Sequence, residues 1–377
     1  MRIMYFVNTD WYFELHWLDR VSKLVNDGYD VHLITCFNDE LVKKRLQYIG
    51  IHCWHIEIDR FSINPFSNVI NLISFFKLFN KIKPDLIHTI TIKPNIIGGM
   101  VARFKSIPQI ISVVGLGRVF LRENLLKKVA TLLYRIVIYK NKRVQLIFEH
   151  ESDKRVLENM VVIDSCNLHV IDGAGIDVEK FPYTPEIQTE SIKVLFASRL
   201  LKSKGLEILV ESIRKLKAEG LDIILYVAGI VDEKDPDRIS MQQIKEWQNE
   251  GLIEWLGTRN DVDALLKECN IMVLPTKYAE GIPRIILEAC AIGRACIVGN
   301  MPGCRSIIEN RVNGMILAEH SVNELSNSLS LLSSNPDLRK AYGIISSEKI
   351  KNKFSKEVII SKTVEVYNFA ISNNLHD

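Results

Sequence analysis

Residues 271–290 read IMVLPTKYAEGIPRIILEAC. The apolar run at 271–275 predicts a buried strand, and the apolar stretch after Pro283 predicts a helix. Pro283 suits the first turn of a helix, whose backbone amides have no partner within the helix, and Gly281 allows a ligand to approach the backbone closely. A buried strand that passes through a short loop into a helix is the repeating unit of a parallel α/β sheet.

The same alternation of apolar runs and helical patterns extends in both directions through a chain of 377 residues. In the second half the predicted strands are 192–198, 223–229, 253–256, 271–275, 294–298 and 314–318. In the first half they are 2–7, 30–36, 51–58, 85–90, 109–114 and 145–149, with a helix predicted at 13–27. This order predicts two parallel, doubly wound α/β sheets, and the chain length also favours two domains.

Glycines and prolines in a polar stretch separate the two halves, and we place the boundary near 175–187. This predicts an N-terminal domain at 1–175 and a C-terminal domain at 186–355. The last apolar-periodic stretch, 356–373, predicts a helix with no strand after it. Because open α/β sheets bind ligands at the carboxyl ends of their strands, we expect the functional residues in the loops that follow strands.

Charged residues follow two predicted strands of the second half. Arg199 and Lys204 come after the first of these strands, where a guanidinium fork and an ammonium group suit a diphosphate. Glu280 and Glu288 flank the turn within residues 271–290. The free amides of the helix that starts there favour an anion, and the two carboxylates can accept hydrogen bonds from sugar hydroxyls. The alternative is an ordinary basic loop and two solvated glutamates, but apolar residues on both sides of Glu288 disfavour a solvated position.

Together these segments resemble glycosyltransferase family 4, a large family of retaining enzymes with the GT-B architecture. The resemblance rests on the E-x7-E spacing of Glu280 and Glu288, the loop Arg199…Lys204-Gly205, the turn at Gly303, and Asn313-Gly314 before a strand. It extends over essentially the whole chain and implies two Rossmann-like domains that face each other across a cleft. It also implies that the terminal helix, 356–377, packs back on the first domain.

The resemblance further implies a role for each residue around a nucleotide-sugar donor. Arg199 and Lys204 would bind the donor diphosphate, and Glu280 would contact the donor sugar, so these three residues are the expected catalytic groups. The other implied donor contacts are Glu288 at the ribose hydroxyls, the turn Gly281, Ile282 and Pro283, and Arg259 in the loop beside the base. No metal and no other cofactor is implied.

The first domain resembles a narrower subgroup, the enzymes that build O-antigens and other bacterial surface glycans. The similar segments are Thr9-Asp10-Trp11-Tyr12-Phe13 with nearby His16, Thr91-Ile92-Lys93-Pro94, and Gly115-Leu116-Gly117-Arg118-Val119-Phe120. Such enzymes commonly extend a sugar carried on undecaprenyl diphosphate, which makes Asp10, His16 and Lys93 the candidate acceptor-side residues. The most specific expectation is N-acetylgalactosamine, added in an α-1,3 linkage from a UDP-sugar.

One position departs from the family pattern. Many members carry a histidine just before a glycine at the end of the 109–114 strand, and this chain has Val114 there. Glu149 and His150 are the residues that would substitute for it.

Two D-x-D patterns would bind a metal–nucleotide complex in a different glycosyltransferase architecture, but neither has the required strand context. Asp261-Val262-Asp263 lies at a predicted helix start, and Asp235-Pro236-Asp237 lies in a polar turn. We therefore expect a metal-independent enzyme. A UDP-sugar epimerase of the same architecture, which would need no lipid face, is the main alternative, and a noncatalytic membrane-bound nucleotide sensor is another.

Positive charge is concentrated at 103–145, where ten basic residues and one acidic residue give a net charge of +9. Apolar residues between these cations favour an anionic membrane surface as partner. A solvated basic helix is an alternative, and nucleic acid is disfavoured because no nucleic-acid motif accompanies the charge. The N-terminus lacks signal-peptide features, no apolar run reaches the roughly 20 residues of a membrane span, and the seven cysteines form no CxxC pair. We expect a cytoplasmic enzyme, peripheral on the inner face of the cytoplasmic membrane.

Overall fold

The computed structural model of the chain describes residues 1–58, 65–114, 125–233, 235–278 and 281–372. The chain divides into two compact units, Ile176–Ser355 and a first unit that joins Met1–Gly175 to the segment beginning at Lys356. Each unit contains one sheet, and all the strand pairs described in both sheets are parallel. All seven cysteines are free thiols.

The first unit contains a seven-stranded sheet with the order β3-β2-β1-β4-β5-β6-β7. Its strands are β1 (Arg2–Thr9), β2 (Asp30–Cys36), β3 (His52–His55), β4 (Leu86–Ile90), β5 (Gln109–Val113), β6 (Val144–Phe148) and β7 (Leu168–Val170). Among the described residues before 175, the α-helices are α1 (Asp10–Asn26), α2 (Glu40–Tyr48), α3 (Pro65–Ile82), α4 (Ile92–Phe104), α5 (Leu125–Ile138) and α6 (Glu151–Glu158). The strand order reverses between β1 and β4, where open α/β sheets bind ligands.

Helices cover both faces of this sheet, and strands β1, β2, β4, β5 and β6 are buried at most of their positions. Along β1, Ile3, Tyr5 and Val7 share a core cluster with side chains of α1. Met4 and Phe6 point to the opposite face and pack with α3 and α4. On that opposite face α4 lies between α3 and α5 and contacts both.

The second unit contains a six-stranded sheet with the order β10-β9-β8-β11-β12-β13. Its strands are β8 (Ile192–Ala197), β9 (Ile223–Ala228), β10 (Glu254–Trp255), β11 (Ile271–Leu274), β12 (Ala295–Gly299) and β13 (Met315–Leu317). Its helices are α7 (Leu206–Ala218), α8 (Met241–Asn249), α9 (Val262–Glu268), α10 (Arg284–Ile292), α11 (Pro302–Ile307), α12 (Val322–Ser333) and α13 (Pro336–Lys349). A short π-helical turn, Ile350–Phe354, leads into the last helix, α14 (Lys356–Ser372).

All twelve predicted strands form, and their ends differ from the prediction by at most three residues. The helix predicted at 13–27 begins three residues earlier, at Asp10, and the terminal helix is confirmed as α14. Strand β7 was not predicted. It has only three residues, Leu168–Val170, which is too short for an apolar run or an alternation to be recognised in the sequence.

A buried chain of polar groups joins α14 to the sheet of the first unit. The Tyr367 hydroxyl on α14 hydrogen-bonds to the Tyr5 hydroxyl and to Nδ1 of His88, and Nε2 of His88 lies 2.8 Å from the Ser112 hydroxyl oxygen. Burial lowers the pKa of His88 well below its ordinary value, and the nearby Arg20 guanidinium lowers it further. His88 is therefore neutral in the folded protein at physiological pH.

This neutral histidine predicts a loss of stability in mild acid. The unfolded chain protonates His88 near its ordinary pKa of 6.5 and the folded chain resists protonation, so the free energy of unfolding should fall as pH drops below that value. One such proton contributes at most about 1.4 kcal/mol per pH unit. The slope of the unfolding free energy against pH, measured by urea denaturation between pH 7.5 and 5, should be shallower in His88→Gln than in the wild-type protein. Equal slopes would contradict a buried neutral His88.

Candidate functional site

The loops after β8, β11 and β12 meet at the carboxyl edge of the second sheet, and glycine makes the closest approaches possible. At Gly205, where φ is +83°, an added Cβ would lie 2.1 Å from the carbonyl oxygen of Pro275. At Gly303, in the first turn of α11, an added Cβ would lie 1.9 Å from the carbonyl oxygen of Gly281. Any larger residue would separate these backbones, so the loop that follows β11 is held between the starts of α7 and α11.

Hydrogen bonds fix the same loop to the basic segment after β8. The amide of Lys277 donates to the carbonyl oxygen of Ser203 at 2.8 Å, and the amide of Tyr278 donates to Thr276 Oγ1 at 3.0 Å. The amide and hydroxyl of Ser203 in turn donate to Asp237. Asp237 belongs to a D-x-D pattern that the sequence suggested was a polar turn, and its carboxylate here orders the basic segment.

The two cations of the predicted diphosphate site, Arg199 and Lys204, both lie in this basic segment, one before and one after Ser203. Lys204 is buried at the end of a short 3₁₀ turn, Lys202–Lys204, and Arg199 is half-buried before it. Both face one aromatic ring: Lys204 Nζ lies 5.0 Å and Arg199 Cζ lies 5.5 Å from the ring centroid of Tyr278. Sequence reasoning overlooked Tyr278, although an aromatic residue two positions before Glu280 in a post-strand loop was a usable signal.

The turn after β11 enters α10 as predicted. Pro283 is the cap residue and Arg284 the first residue of the helix, and no side chain among the described residues caps that first turn. Ile282 is buried in the core of the second unit. Glu280 lies outside the described residues, so its predicted role at the donor sugar rests on the sequence.

Glu288 is buried on α10 rather than solvated. Its Oε1 accepts a hydrogen bond from Nε of Arg284, one helical turn earlier, at 2.9 Å. Burial raises the pKa of Glu288 above its ordinary value, and the positive charge of Arg284 partly offsets this rise. A buried carboxylate with one oxygen engaged by an internal cation retains acceptor capacity for a ligand hydroxyl.

Arg259 forms a two-point ion pair within its own loop. Its Nε lies 2.7 Å from Asp261 Oδ1, and its Nη2 lies 2.5 Å from Asp261 Oδ2. The pair is exposed and raises the pKa of Arg259 while lowering that of Asp261. The predicted contact of Arg259 with a base therefore requires the guanidinium to exchange or share this partner.

In the first unit, Asp10 holds the loop that follows β2. It is 1% exposed, and its carboxylate accepts from the amides of Trp11, Asn38 and Asp39 at 2.8, 2.8 and 3.0 Å. This geometry gives Asp10 a supporting position at the carboxyl edge of the sheet. A direct contact of Asp10 with an acceptor stays a prediction.

His16 and Lys93 are both half-buried. His16 stacks obliquely on Tyr12 of the same helix, with ring centroids 4.4 Å apart. Lys93 is the second residue of α4. Thr91, two positions earlier, has a φ of +76°, which is unusual for a β-branched residue and marks a strained helix start. Lys93 lies in the first helical turn after β4, at the edge where ligands of such sheets bind, and His16 lies in the second turn of α1; the acceptor roles of both stay predictions.

The segment Gly115–Phe120 lies outside the described residues. Val114, just before it, is half-buried. His150 is buried, and its Nδ1 accepts from the amide of Asp153, so it caps α6. Glu149, between β6 and that cap, exerts an electrostatic influence on Arg20 of α1.

Two groups of side chains in the described part of the first unit could geometrically hold a metal ion: Asp30, His32 and His52, and Cys36, His55 and Glu57. In each group one histidine Nδ1 accepts a hydrogen bond, from Trp54 Nε1 to His32 at 3.0 Å and from the Phe37 amide to His55 at 3.1 Å. Both donors are obligatory, so the neutral imidazole carries its proton on Nε2, the atom that faces the carboxylate. We therefore interpret both groups as hydrogen-bonded clusters.

Comparison with known proteins agrees with this architecture. Two family models match the chain: "Glycosyl transferase 4-like" over residues 2–151 and "Glycosyl transferases group 1" over residues 177–348. The chain is 28% identical to the N,N'-diacetylbacillosaminyl-diphospho-undecaprenol alpha-1,3-N-acetylgalactosaminyltransferase of Campylobacter jejuni, over 95% of this chain and 96% of that protein. It is 26% identical to the UDP-Gal:alpha-D-GlcNAc-diphosphoundecaprenol alpha-1,3-galactosyltransferase of Escherichia coli, over 92% and 90% of the two chains.

Solved structures share the fold at lower identity. A Rickettsia africae glycosyltransferase superposes with a TM-score of 0.76 at 20% identity, covering 99% of both chains. Anabaena HepE, solved in complex with UDP and glucose, superposes with a TM-score of 0.80 at 16% identity, covering 98% of this chain and 99% of that one. Two parallel Rossmann-like sheets with these neighbours define the GT-B class of protein. Glycosyltransferase family models thus match both halves of the chain, in agreement with the resemblance to family 4 found in its sequence.

Proposed function

We propose that this protein is a retaining, metal-independent glycosyltransferase that acts in O-antigen or other surface-polysaccharide synthesis. It transfers N-acetylgalactosamine, in an α-1,3 linkage, from a UDP-sugar to a sugar carried on a polyprenyl diphosphate. The observation that carries the proposal is the pair of cations, Arg199 and Lys204, held at the junction of three post-strand loops. The activities for which the C. jejuni and E. coli relatives are named support the donor and acceptor classes.

The chemistry follows from where negative charge develops. Breaking the bond between the sugar and the diphosphate leaves charge on the departing diphosphate, and prepositioned cations stabilise that charge without reorganising. Lys204 is buried, so its interaction with the diphosphate is screened by water less than that of an exposed lysine. The first amides of α10, together with Gly281, Ile282 and Pro283, complete the proposed diphosphate site.

The remaining roles follow the family pattern. Glu280 contacts the donor sugar, Glu288 accepts hydrogen bonds from the ribose hydroxyls, and Arg259 lies beside the base. On the acceptor side the proposal assigns contacts to His16 and Lys93, with Asp10 as a third candidate.

The proposed function is tested with purified protein, a panel of UDP-sugars and synthetic polyprenyl-diphosphate monosaccharides. Transfer of one sugar to the lipid acceptor, with release of UDP, is the expected result. Incubation with each UDP-sugar alone separates the alternative: an epimerised sugar nucleotide would indicate an epimerase, whereas a transferase releases only a little free UDP by hydrolysis.

A lipid-linked acceptor stays in the bilayer, so we further propose that the first unit docks on the inner face of the cytoplasmic membrane. Along α5 the exposed side chains include an apolar stripe with helical spacing, Leu125, Val129, Leu132 and Ile136, which continues to Tyr139 just after the helix. On α3, at the far side of α4, a second exposed stripe comprises Phe66, Val69, Ile70 and Ile73. On α5 basic residues alternate with the stripe, and on α3 Lys77 and Lys81 follow it, as expected for a surface that inserts shallowly among anionic headgroups.

Among the described residues, no helix combines the length and hydropathy needed to cross a bilayer. Attachment by this surface is therefore proposed as peripheral. Nucleic acid is not a proposed partner.

Reversing exposed charges on this surface should release the protein from membranes. The triple variant Lys128→Glu, Lys140→Glu and Lys142→Glu removes attraction of about 1 kcal/mol for each basic residue near the surface and adds repulsion. We expect it to lose binding to phosphatidylserine-containing vesicles in sedimentation at low salt, and we expect UDP affinity to stay unchanged.

The matched control makes the same charge change on exposed lysines of the second unit, Lys245, Lys340 and Lys351. It should sediment with vesicles like the wild-type protein. Equal binding by both triple variants, or no wild-type binding at low salt, would show that the basic surface is only solvated.

A further inference from the structure

The ring of Tyr278 is the common neighbour of both donor-site cations. Lys204 Nζ and Arg199 Cζ lie 5.0 and 5.5 Å from its centroid, within the range over which a cation is attracted to an aromatic face. The two cations come from one loop and the ring from another. Their meeting is therefore a feature of the folded site and not of local sequence.

The backbone on both sides keeps the ring in this position. Lys277 donates to the carbonyl of Ser203, immediately before Lys204, and the amide of Tyr278 is held by Thr276. Gly205, immediately after Lys204, allows the carbonyl of Pro275 to approach closely. The segment that carries the cations and the segment that carries the ring are thus joined at two points on either side of Lys204.

Two like charges directed at one small region repel each other, and each also loses hydration on partial burial. An aromatic face between them offsets both costs, because its quadrupole attracts each cation without neutralising either. An acidic partner in the same place would compete with an incoming diphosphate. A ring adds no negative charge that would compete with the ligand.

We infer that Tyr278 is a positioning residue of the donor site, which holds Arg199 and Lys204 ready for the diphosphate through its ring face. This inference deepens the proposed function and rests on the assignment of these cations to the donor diphosphate. The role belongs to the ring, so phenylalanine should replace tyrosine and nonaromatic residues should not.

Calorimetric titration with UDP tests the inference without any acceptor or donor sugar. From two cation–π contacts we expect Tyr278→Leu and Tyr278→Gln to weaken UDP binding about five- to thirty-fold, and Tyr278→Phe to stay within about twofold of the wild-type protein. Tyr48→Leu, at a position 94% exposed on α2, is the matched control and should bind UDP normally. Equal thermal melting curves would establish that the variants are folded, and the glutamine variant serves if leucine lowers the melting temperature.

A double-mutant cycle separates positioning from a general structural role. In a Lys204→Ala background one of the two contacts is already gone, so Tyr278→Leu should weaken UDP binding by a clearly smaller factor than in the wild-type background. Wild-type affinity in both nonaromatic variants, an equally weak phenylalanine variant, or equal factors in the two backgrounds would overturn the inference. A wild-type protein that does not bind UDP would instead contradict the proposed function.

Discussion

Replacing Arg199 or Lys204 with alanine is expected to lower kcat by about 10²- to 10³-fold, the effect of removing one prepositioned donor from a developing anion. The loss should fall on kcat more than on KM, because the interaction strengthens as the diphosphate departs. Lys202→Ala is the matched control: Lys202 occupies the same 3₁₀ turn as Lys204 but is exposed, and its removal should leave turnover unchanged.

The same reasoning predicts full turnover in excess EDTA. If the two cations stabilise the leaving diphosphate, no divalent ion is needed for that purpose. Turnover that requires magnesium or manganese, in a protein that stays soluble and folded without them, would contradict this role for Arg199 and Lys204.

Changing Glu280 to glutamine is the second substitution with a large expected effect. The change keeps the size of the side chain and removes its charge, so kcat should fall by about 10²-fold or more while the Kd for UDP-sugar stays near the wild-type value. A charge that matters chiefly in the transition state produces this split between kcat and binding. Glu319→Gln, at an exposed position of the same unit, is the control and should have no effect.

Steady-state kinetics with donor-binding titrations provide the measurement for Glu280. A variant that binds donor much more weakly but turns over normally once saturated would place Glu280 in ground-state binding alone. The anomeric configuration of the wild-type product is a separate criterion, because a β-linked product from an α-linked donor would contradict retention.

Much of the fold was predictable because buried parallel strands carry continuous apolar runs. Each of the twelve predicted strands has such a run or follows a recognisable helical pattern, and glycines or prolines bound many of them. Strand β7 has neither property, and it is held in the sheet by pairing with β6. The early start of α1 at Asp10 was also hidden, since the first buried apolar side chain of the helix is that of Phe13.

Candidate site residues could be predicted where a charged side chain comes soon after a strand in the sequence. Arg199, Lys204 and Glu288 were identified by residue type and position. Asp10 was identified too, but its three amide partners were not, because two of them lie 28 and 29 residues farther along the chain.

Tyr278 and the apolar stripe on α3 were also not predicted, because both features arise only from tertiary packing. The contact of Tyr278 with both cations depends on two loops that meet only in the fold. The predicted membrane surface rested on a concentration of basic residues. The α3 helix contains only two, Lys77 and Lys81, so its apolar stripe was not predicted. Exposure of an apolar face is a property of packing, which a sequence pattern does not report.

We propose that this chain transfers a sugar from UDP to a lipid-linked sugar with retention. The most direct measurement is two-dimensional NMR of the product formed from UDP-N-acetylgalactosamine and a synthetic polyprenyl-diphosphate sugar in excess EDTA. An α-1,3-linked disaccharide on the lipid, formed in equal amount with UDP, is the expected result. No transfer from any UDP-sugar to any such acceptor, with an epimerised sugar nucleotide as the only product, would contradict the claim.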